Sequence, residues 1–320
     1  MELLIKNGKV FNAGGSAMSD VLIRNGVIVE TGQGLDGKTA DRVIDATGLY
    51  VLPGAIDAHT HLEMKMGKTF SADGYESGTR AAACGGVTTV FDYTLQENGR
   101  SMLGEIEDRN RLAEGAACVD YAFHGGISEV NEERLNELAQ MAGEGFTSVK
   151  AYMTYDFGLN DKELYRLLRA AAEAKVLITV HAESDAIVGV NRAEIIKDGP
   201  KPVWYHYLSR PEIAEEEADI RAVKLAEAAG APIYIVHLAN AAGERFIAEY
   251  KEKSINGTKV FAETCPHYLE FTNEVYKRPD GIRFICSPPI KGEESRRALL
   301  EGIQKGVIDT IATDHCPAQT

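Results

Sequence analysis

The chain has 320 residues, of which 44% are hydrophobic, and its formal net charge is -14. This composition suits one large domain with a smaller one. The acidic charge excludes nucleic acid as a main partner, because phosphate binding needs clustered Lys and Arg in excess. A membrane-spanning helix is excluded by the lack of any run of about 18 apolar residues. Five scattered cysteines without a CxxC pair indicate reduced thiols, and residues 1–10 alternate like a strand rather than a signal sequence, so we expect a cytoplasmic protein.

The first fifty residues are predicted to form a small β-sandwich module. Two Asn-Gly pairs, Asn7-Gly8 and Asn25-Gly26, lie between apolar runs, and this dipeptide is a strong signal for a hairpin. Short strands are expected at Leu3–Lys6, Lys9–Asn12, Val21–Arg24, Val27–Glu30 and Arg42–Asp45. We place the end of this module at residue 50.

From residue 51 onward, an apolar strand, a loop and an amphipathic helix follow one another repeatedly. Continuously apolar strands separated by helices predict a parallel sheet that is covered on both faces. The eight strand candidates are Val51–Ala58, Val87–Tyr93, Val119–Phe123, Thr147–Tyr152, Val176–Val180, Ile233–Val236, Lys259–Ala262 and Ile308–Ala312. Eight such units favour an α/β fold, a (β/α)8 TIM-type barrel over residues 51–320, over an open doubly wound sheet.

Two barrel helices carry predicted capping boxes, Asn160 with Glu163 and Ser209 with Glu212, and the second helix is expected to end at Gly230. The sequence stops a few residues after the eighth strand. We therefore expect the barrel to lack its final helix.

Four histidines lie at or just after the predicted C-terminal ends of barrel strands: His59, His61, His181 and His237. These ends converge on one mouth of a barrel, where active sites are built. Period-two alternation places His59 and His61 on the same side of an extended segment, as two ligands of one metal require. A single histidine at a strand end is more often a packed core residue, so the prediction of a metal site depends on all four.

Asp314 and Lys150 also lie at predicted strand ends. A carboxylate at position 314 can bind a metal and accept a proton from water, although an Asp after a strand is also a common helix N-cap. Lys150 has apolar neighbours, and a buried ammonium is costly unless it is paired or modified. A carbamate formed with carbon dioxide would turn it into an anionic bridge between two cations. Taken alone, a solvent-reaching or ion-paired lysine is the simpler interpretation.

Two loops near the same mouth supply further candidates. Tyr155 follows the fourth strand and could donate a hydrogen bond to an oxyanion, although loop tyrosines more often only pack. Ser287 lies in the segment Cys286–Pro289, whose two prolines make a rigid loop with backbone groups able to pair with an amide ring. A simple turn is the alternative interpretation of that loop.

Seven segments spread over the whole chain form a specific set: Pro53–His61 (PGAIDAHTH), Lys150, His181–Glu183 (HAE), His237-Leu238, Glu263–Leu269 (ETCPHYL), Cys286–Pro289 (CSPP) and Asp314–Cys316 (DHC). This set resembles the dihydropyrimidinase and hydantoinase family within the amidohydrolase superfamily. The histidine, lysine and aspartate combination is typical of the superfamily, and the ETCP and SPP segments point to this branch.

The resemblance implies two divalent metal ions in one centre, and zinc is the metal that it implies. His59, His61 and Asp314 would hold one ion, His181 and His237 the other, and carboxylated Lys150 would bridge them. A bridging hydroxide would attack the carbonyl of a small cyclic amide, a dihydropyrimidine or a 5-substituted hydantoin, to give an N-carbamoyl amino acid. Asp314 would carry the proton, Tyr155 would stabilise the oxyanion, and the Ser287 backbone would hold the ring. The resemblance also implies a homotetramer.

Two departures bear on these expectations. Residues 64–68 (MKMGK) replace a Pro-Phe-Gly-Gly-like stretch of many hydantoinases, in a loop expected to contact the ring substituent. The family also has further β strands beyond the point where this sequence stops, so we expect the intact protein to be longer.

Three alternatives share parts of this pattern. Dihydroorotases usually carry an arginine soon after the His-x-His pair, and Leu62-Glu63-Met64 stands here instead. Allantoinases have the same metal constellation. Non-enzymatic scaffold relatives lose metal ligands, whereas all six ligand positions are filled in this chain, which favours an enzyme.

Overall fold

A computed structural model describes residues 1–66, 69–253 and 257–318. The chain divides into two compact units, Met1–Ala55 and Ile56–Thr320. None of the helices within the described ranges is both long and apolar enough to cross a membrane.

The N-terminal unit is a five-stranded mixed sheet, which confirms the predicted β module. Strand β1 pairs antiparallel with β2 and parallel with β4 and β5, while β2 pairs antiparallel with β3. Leu4, Leu22 and Leu35 form its small core. The strands are β1 (Glu2–Asn12), β2 (Gly15–Arg24), β3 (Val27–Gly32), β4 (Arg42–Asp45) and β5 (Tyr50–Val51), and a 3-10 turn covers Leu35–Gly37.

The two Asn-Gly pairs of this unit have different roles. Asn25-Gly26 forms the predicted hairpin between β2 and β3, with positive φ at both residues. The prediction of a hairpin at Asn7-Gly8 is wrong, because β1 continues through this pair with a register shift between Ile5 and Gly8. A Cβ on Gly8 would lie 2.4 Å from Val51 Cγ2, so the glycine allows β1 and β5 to approach. The pair is therefore a bulge inside one long strand.

The C-terminal unit is the predicted (β/α)8 barrel. Its described residues form an eight-stranded sheet in the order β15-β14-β13-β12-β11-β10-β9-β6, and adjacent strands from β9 to β15 pair in parallel. A parallel bridge between Thr60 and His315 brings its two edges together. The strands are β6 (Ala55–Thr60), β9 (Val87–Tyr93), β10 (Asp120–Gly126), β11 (Ser148–Tyr152), β12 (Leu177–His181), β13 (Ile233–Ile235), β14 (Val260–Thr264) and β15 (Thr310–Ile311).

The first barrel strand begins later than predicted. Tyr50–Val51 belongs to the N-terminal sheet, and β6 begins at Ala55, after Pro53 and Gly54 interrupt the extended run. The segment after β6 forms a short antiparallel pair, β7 (Lys65–Met66) with β8 (Thr69–Phe70). Gly67 and Lys68, in the loop expected to contact the ring substituent, lie outside the described residues.

Helices connect the barrel strands and cover the sheet. They are α1 (Tyr75–Cys84), α2 (Met102–Ala113), α3 (Glu132–Gly143), α4 (Asp161–Ala174), α5 (Asp185–Ile196), α6 (Trp204–Ser209), α7 (Glu212–Ala229), α8 (Ala241–Lys253), α9 (Pro266–Glu270) and α10 (Glu293–Lys305), with 3-10 turns at Asn273–Lys277 and Gly281–Phe284. Apolar side chains of the strands and helices form one core cluster.

One of the two predicted capping boxes is present. Asn160 and Glu163 cap α4 reciprocally, as expected. The box at Ser209 and Glu212 is wrong, because Pro211 is the N-cap of α7 and the Ser209 hydroxyl donates to the carbonyl of His206. Helix α7 does end at Gly230, which adopts the left-handed conformation that glycine permits.

Candidate metal centre at the barrel mouth

His59 and His61 come from the end of β6 and its continuation. The extended backbone directs both imidazoles to the same side, and their Nε2 atoms lie 3.2 Å apart. Both rings are buried. Two buried nitrogen atoms this close together can both donate a lone pair to one electrophile, such as a metal ion.

Asp314 completes a triangle of donor atoms with these histidines. Its Oδ1 lies 3.1 Å from His59 Nε2 and 3.1 Å from His61 Nε2. A tetrahedral zinc ion with bonds of about 2.0–2.1 Å places its ligand atoms about 3.3 Å apart. The spacing of the three atoms therefore fits a metal ion, and within the described residues this trio is the cluster of His and acidic groups with metal-binding geometry.

The other predicted ligands lie beside this triangle. Lys150 Nζ is 3.4 Å from His59 Nε2. The His237 ring lies 5.7 Å from the His59 ring and 4.5 Å from the His181 ring, measured between centroids. The structure thus brings all six residues into one continuous group, although they come from five different strands or strand ends.

Burial controls the charge of this group. Lys150 is only 1% exposed, which excludes a solvent-reaching side chain, and burial lowers its pKa to about 8. Burial also lowers the pKa of His237 well below its usual value, and His181 and Lys150 reinforce this effect. His61 Nδ1 and His237 Nδ1 are buried without a hydrogen-bond partner. An uncharged imidazole, such as that of His237, is the ligand form that a divalent metal needs.

Opposing effects act on the Asp314 carboxyl. Burial raises its pKa, but the His59 charge and the hydrogen bonds with His59 and His61 outweigh burial and hold the pKa well below the usual value. Asp314 is therefore an anion in this arrangement. The alternative of a helix N-cap is not supported, since its Oδ1 faces the two histidines.

Two buried glutamates contact histidines of the candidate site, and neither was predicted to have a role. Glu263 Oε1 lies 2.7 Å from His59 Nδ1, and Glu183 Oε2 lies 2.8 Å from His181 Nε2. A carboxylate behind a metal-binding histidine fixes its tautomer and orientation. The His181-x-Glu183 spacing was a usable signal, since period two directs both side chains to the same face, whereas the contact of Glu263 with His59 spans 204 residues.

Three residues of the candidate site have an unusual backbone conformation. Tyr155, His237 and Asp314 adopt positive φ angles of 77°, 40° and 50°. Such angles are unfavourable for non-glycine residues and are concentrated at functional sites. Asp57 accepts hydrogen bonds from the Thr313 amide at 3.0 Å and the Thr313 hydroxyl at 2.5 Å, which ties β6 to the segment that carries Asp314.

Tyr155 lies beside His181 and forms a hydrogen bond with Ser287. The Tyr155 ring is 5.1 Å from the His181 ring, between centroids, and it also contacts Tyr152 and Phe157. Burial raises the pKa of Tyr155, Glu183 adds to this effect, and a hydrogen bond with Ser287 opposes it. The phenol therefore stays protonated and able to donate a hydrogen bond.

The chain is similar in sequence to known proteins of one family. The profile of the Amidohydrolase family matches residues 50–320. A D-phenylhydantoinase from Escherichia coli O9:H4 (strain HS) is 43% identical over 318 residues, which cover 99% of this chain and 68% of that protein. This chain belongs to the hydantoinase and dihydropyrimidinase branch of the amidohydrolase family.

Solved structures of this family have the same fold. The dihydropyrimidinase from Brevibacillus agri NCHU1002 superposes with a TM-score of 0.95 at 37% identity, over 100% of this chain and 69% of that one. An L-hydantoinase from Arthrobacter aurescens gives 0.87 at 27% identity, over 98% and 69%. The amidohydrolase family is metal-dependent, and His59, His61 and Asp314 form a metal-binding cluster in this member.

Proposed function

We propose that this protein hydrolyses the amide bond of a 5-substituted hydantoin or a dihydropyrimidine to an N-carbamoyl amino acid. The observation that carries the proposal is the convergence of His59 Nε2, His61 Nε2 and Asp314 Oδ1 within 3.2 Å of one another at the barrel mouth. The relatives named as hydantoinases and dihydropyrimidinases support the choice of substrate class.

We propose that the site binds two divalent cations, both zinc, and the cluster of His59, His61 and Asp314 supports the first of them. His59, His61 and Asp314 would hold one ion, and His181 and His237 the other. When bound, the ions would acidify a shared water molecule and polarise the ring carbonyl. The buried Nδ1 atom of His237 supports this fit, because a buried polar atom without a partner is costly.

Lys150 would serve both ions after carboxylation. Its uncharged Nζ attacks carbon dioxide, an N–C bond forms, and one proton leaves, so the side chain becomes a carbamate anion with two oxygen donors. The location of Nζ 3.4 Å from His59 Nε2 supports this role. A buried anion beside two cations also removes the conflict of a buried ammonium among apolar neighbours.

Asp314 would move the proton during ring opening. Its carboxylate takes a proton from the attacking water as the oxygen bonds to the ring carbonyl carbon. It then returns this proton to the ring nitrogen as the C–N bond breaks. One carboxylate therefore serves first as base and then as acid.

Tyr155 and Ser287 would bind the substrate. We propose that the Tyr155 hydroxyl donates to the oxyanion that develops on the carbonyl oxygen, and that backbone groups of Ser287 pair with the ring amide. The hydrogen bond between Tyr155 and Ser287 and the contact of Tyr155 with His181 support these roles. A homotetrameric assembly and a cytoplasmic location remain proposals from the family resemblance and the sequence.

A panel of five rings tests the substrate class. Purified, zinc-loaded protein is given dihydrouracil, hydantoin, phenylhydantoin, allantoin and dihydroorotate, and loss of ring absorbance is followed in the ultraviolet. Turnover of dihydrouracil or a hydantoin is the expected result. Turnover of allantoin or dihydroorotate alone would assign one of the sister activities, and a protein that retains no zinc and turns over none of the rings would favour a scaffold protein.

A further inference from the structure

Arg210 directly follows helix α6, and its buried side chain lies between Glu183 and Tyr155. Its guanidinium group donates to Glu183 Oε2 and lies over the Tyr155 ring, 5.4 Å from the centroid. The side chain is 7% exposed. An arginine removed from water in this way must be paired, and its planar group can bind a carboxylate and stack on a ring at the same time.

Glu183 depends on this arginine. Its Oε2 accepts from Arg210 and also contacts His181 Nε2 at 2.8 Å, while its Oε1 is buried without a hydrogen-bond partner. Removing one partner of a buried ion pair leaves an uncompensated charge. Without Arg210, the carboxylate that orients His181 would lose the cation that donates to it, although the charge of Lys291 would still act on it.

The backbone of Arg210 is fixed to the loop that carries Ser287. Its carbonyl oxygen accepts from Lys291 Nζ at 3.2 Å, and Lys291 pairs with Glu215 at 3.4 Å. In the preceding helix, His206 Nε2 lies 2.8 Å from the carbonyl oxygen of Cys286, the neighbour of Ser287. The arginine is therefore held in place independently of the groups that its side chain contacts.

We propose that Arg210 is a positioning residue that fixes Tyr155 through stacking and His181 through Glu183. The inference rests on the proposed function, because it assigns Tyr155 to the substrate and His181 to a metal ion. Arg210 thereby couples the orientation of an oxyanion donor to that of a metal ligand.

Two substitutions separate the two contacts. Arg210→Gln removes both the charge and the guanidinium group, so we expect one zinc ion to bind about 10–100-fold more weakly. Arg210→Lys keeps a cation for Glu183 but loses the planar group over Tyr155. This variant should retain most of the zinc affinity while its kcat falls, by up to about 100-fold, at nearly constant KM.

Arg134→Gln is the matched control. Arg134 is also a buried arginine that pairs with glutamates, and its guanidinium group donates to Glu133, Glu137 and the Arg100 carbonyl, which are not residues of the candidate site. Zinc affinity is measured by competition with a chromogenic chelator, and kcat and KM by ring opening, for the wild type and the three variants. The control should lose stability while it keeps zinc affinity and kcat.

The outcomes are distinct. Weaker zinc binding in Arg210→Gln, with a selective loss of kcat in Arg210→Lys, supports the inference. If both Arg210 variants match Arg134→Gln in zinc affinity and kcat, Arg210 only stabilises the fold and the inference is overturned. If the wild type itself binds no zinc and opens no ring, the proposed function fails and the inference fails with it.

Discussion

Glu263 Oε1 lies 2.7 Å from His59 Nδ1, and both side chains are fully buried. The same carboxylate accepts from the His237 amide at 3.1 Å and from the Tyr234 hydroxyl at 2.8 Å. One glutamate on β14 therefore contacts a histidine side chain on β6 and the backbone of another histidine after β13. It links residues that would bind different metal ions.

Glu263→Gln should weaken zinc binding by about 10–100-fold with little change in shape. The amide cannot provide four acceptor sites or the negative charge that holds the His59 tautomer. Isothermal titration of metal-free protein with zinc measures the effect. Glu105→Gln, a buried glutamate on α2, is the control, and equal affinities for the two variants would remove Glu263 from the metal centre.

Lys150→Ala should abolish ring opening while the fold is retained, because the bridging carbamate cannot form. The substitution also leaves a buried space that a small carboxylate can occupy, so added acetate or propionate should restore part of the rate. Lys150→Met fills that space with apolar atoms and should not be rescued. Full activity of the alanine variant, measured by the ultraviolet assay, would exclude a role for carboxylated Lys150.

Asp314→Asn should lower kcat by about 100- to 10,000-fold, since an amide cannot accept the proton from water. The variant should keep its secondary structure by circular dichroism. Asp280→Asn, at an exposed carboxylate paired with Arg278, is the control and should turn over normally. A kcat for Asp314→Asn within a factor of two or three of wild type would show that another group moves the proton.

Asp92 supports the His-x-His segment from within the barrel. Its carboxylate accepts from the Thr60 hydroxyl at 3.0 Å, the Leu62 amide at 2.7 Å, the Tyr75 hydroxyl at 2.7 Å and the Arg109 guanidinium at 2.6 Å. Asp92→Asn should therefore cost about 3–5 kcal/mol of unfolding free energy in urea, because Arg109 loses its buried partner. The exposed pair of Glu76 with Arg80 provides the contrast, and Glu76→Gln should cost less than about 1 kcal/mol.

His124 makes the stability pH-dependent. Burial lowers its pKa from 6.5 to about 4, so between these values the unfolded chain binds a proton that the folded chain does not. The free energy of unfolding therefore decreases once the pH falls below 6.5, and it keeps decreasing until the pH reaches about 4. His124→Gln removes this contribution, so its loss of unfolding free energy between pH 7.5 and pH 5 should be about 2 kcal/mol smaller than in wild type. Equal losses in urea titrations of the two zinc-free proteins would contradict this.

The barrel could be predicted from the sequence because its strands are buried on both faces and appear as short apolar runs. The proximity of the candidate site residues could be predicted because the strand ends of a barrel converge, whatever the conformation of the loops between them. The hairpin predicted at Asn7-Gly8 was wrong because the same dipeptide is compatible with a hairpin and with a bulge. The close contact between Gly8 and Val51, which the local sequence does not indicate, favours the bulge. The capping box predicted at Ser209 was wrong because Pro211 occupies the N-cap position of α7.

The supporting residues could not be assigned in advance. Glu263 meets His59 across 204 positions, and Arg210 meets Glu183 across 27, so no local period links either pair. Their roles depend on burial and on which strands become neighbours. The role of a buried charged residue can be recognised only when its partner is known, and the partner becomes known only when the fold brings the two residues together.

Zinc-dependent ring opening tests the central claim most directly. Metal-free protein is titrated with zinc while hydrolysis of dihydrouracil and phenylhydantoin is followed, and bound zinc is measured in the same samples. The account predicts no turnover without metal and a rate that saturates at about two zinc ions per chain. Undiminished turnover in the metal-free protein, or no turnover at any zinc content, would contradict it.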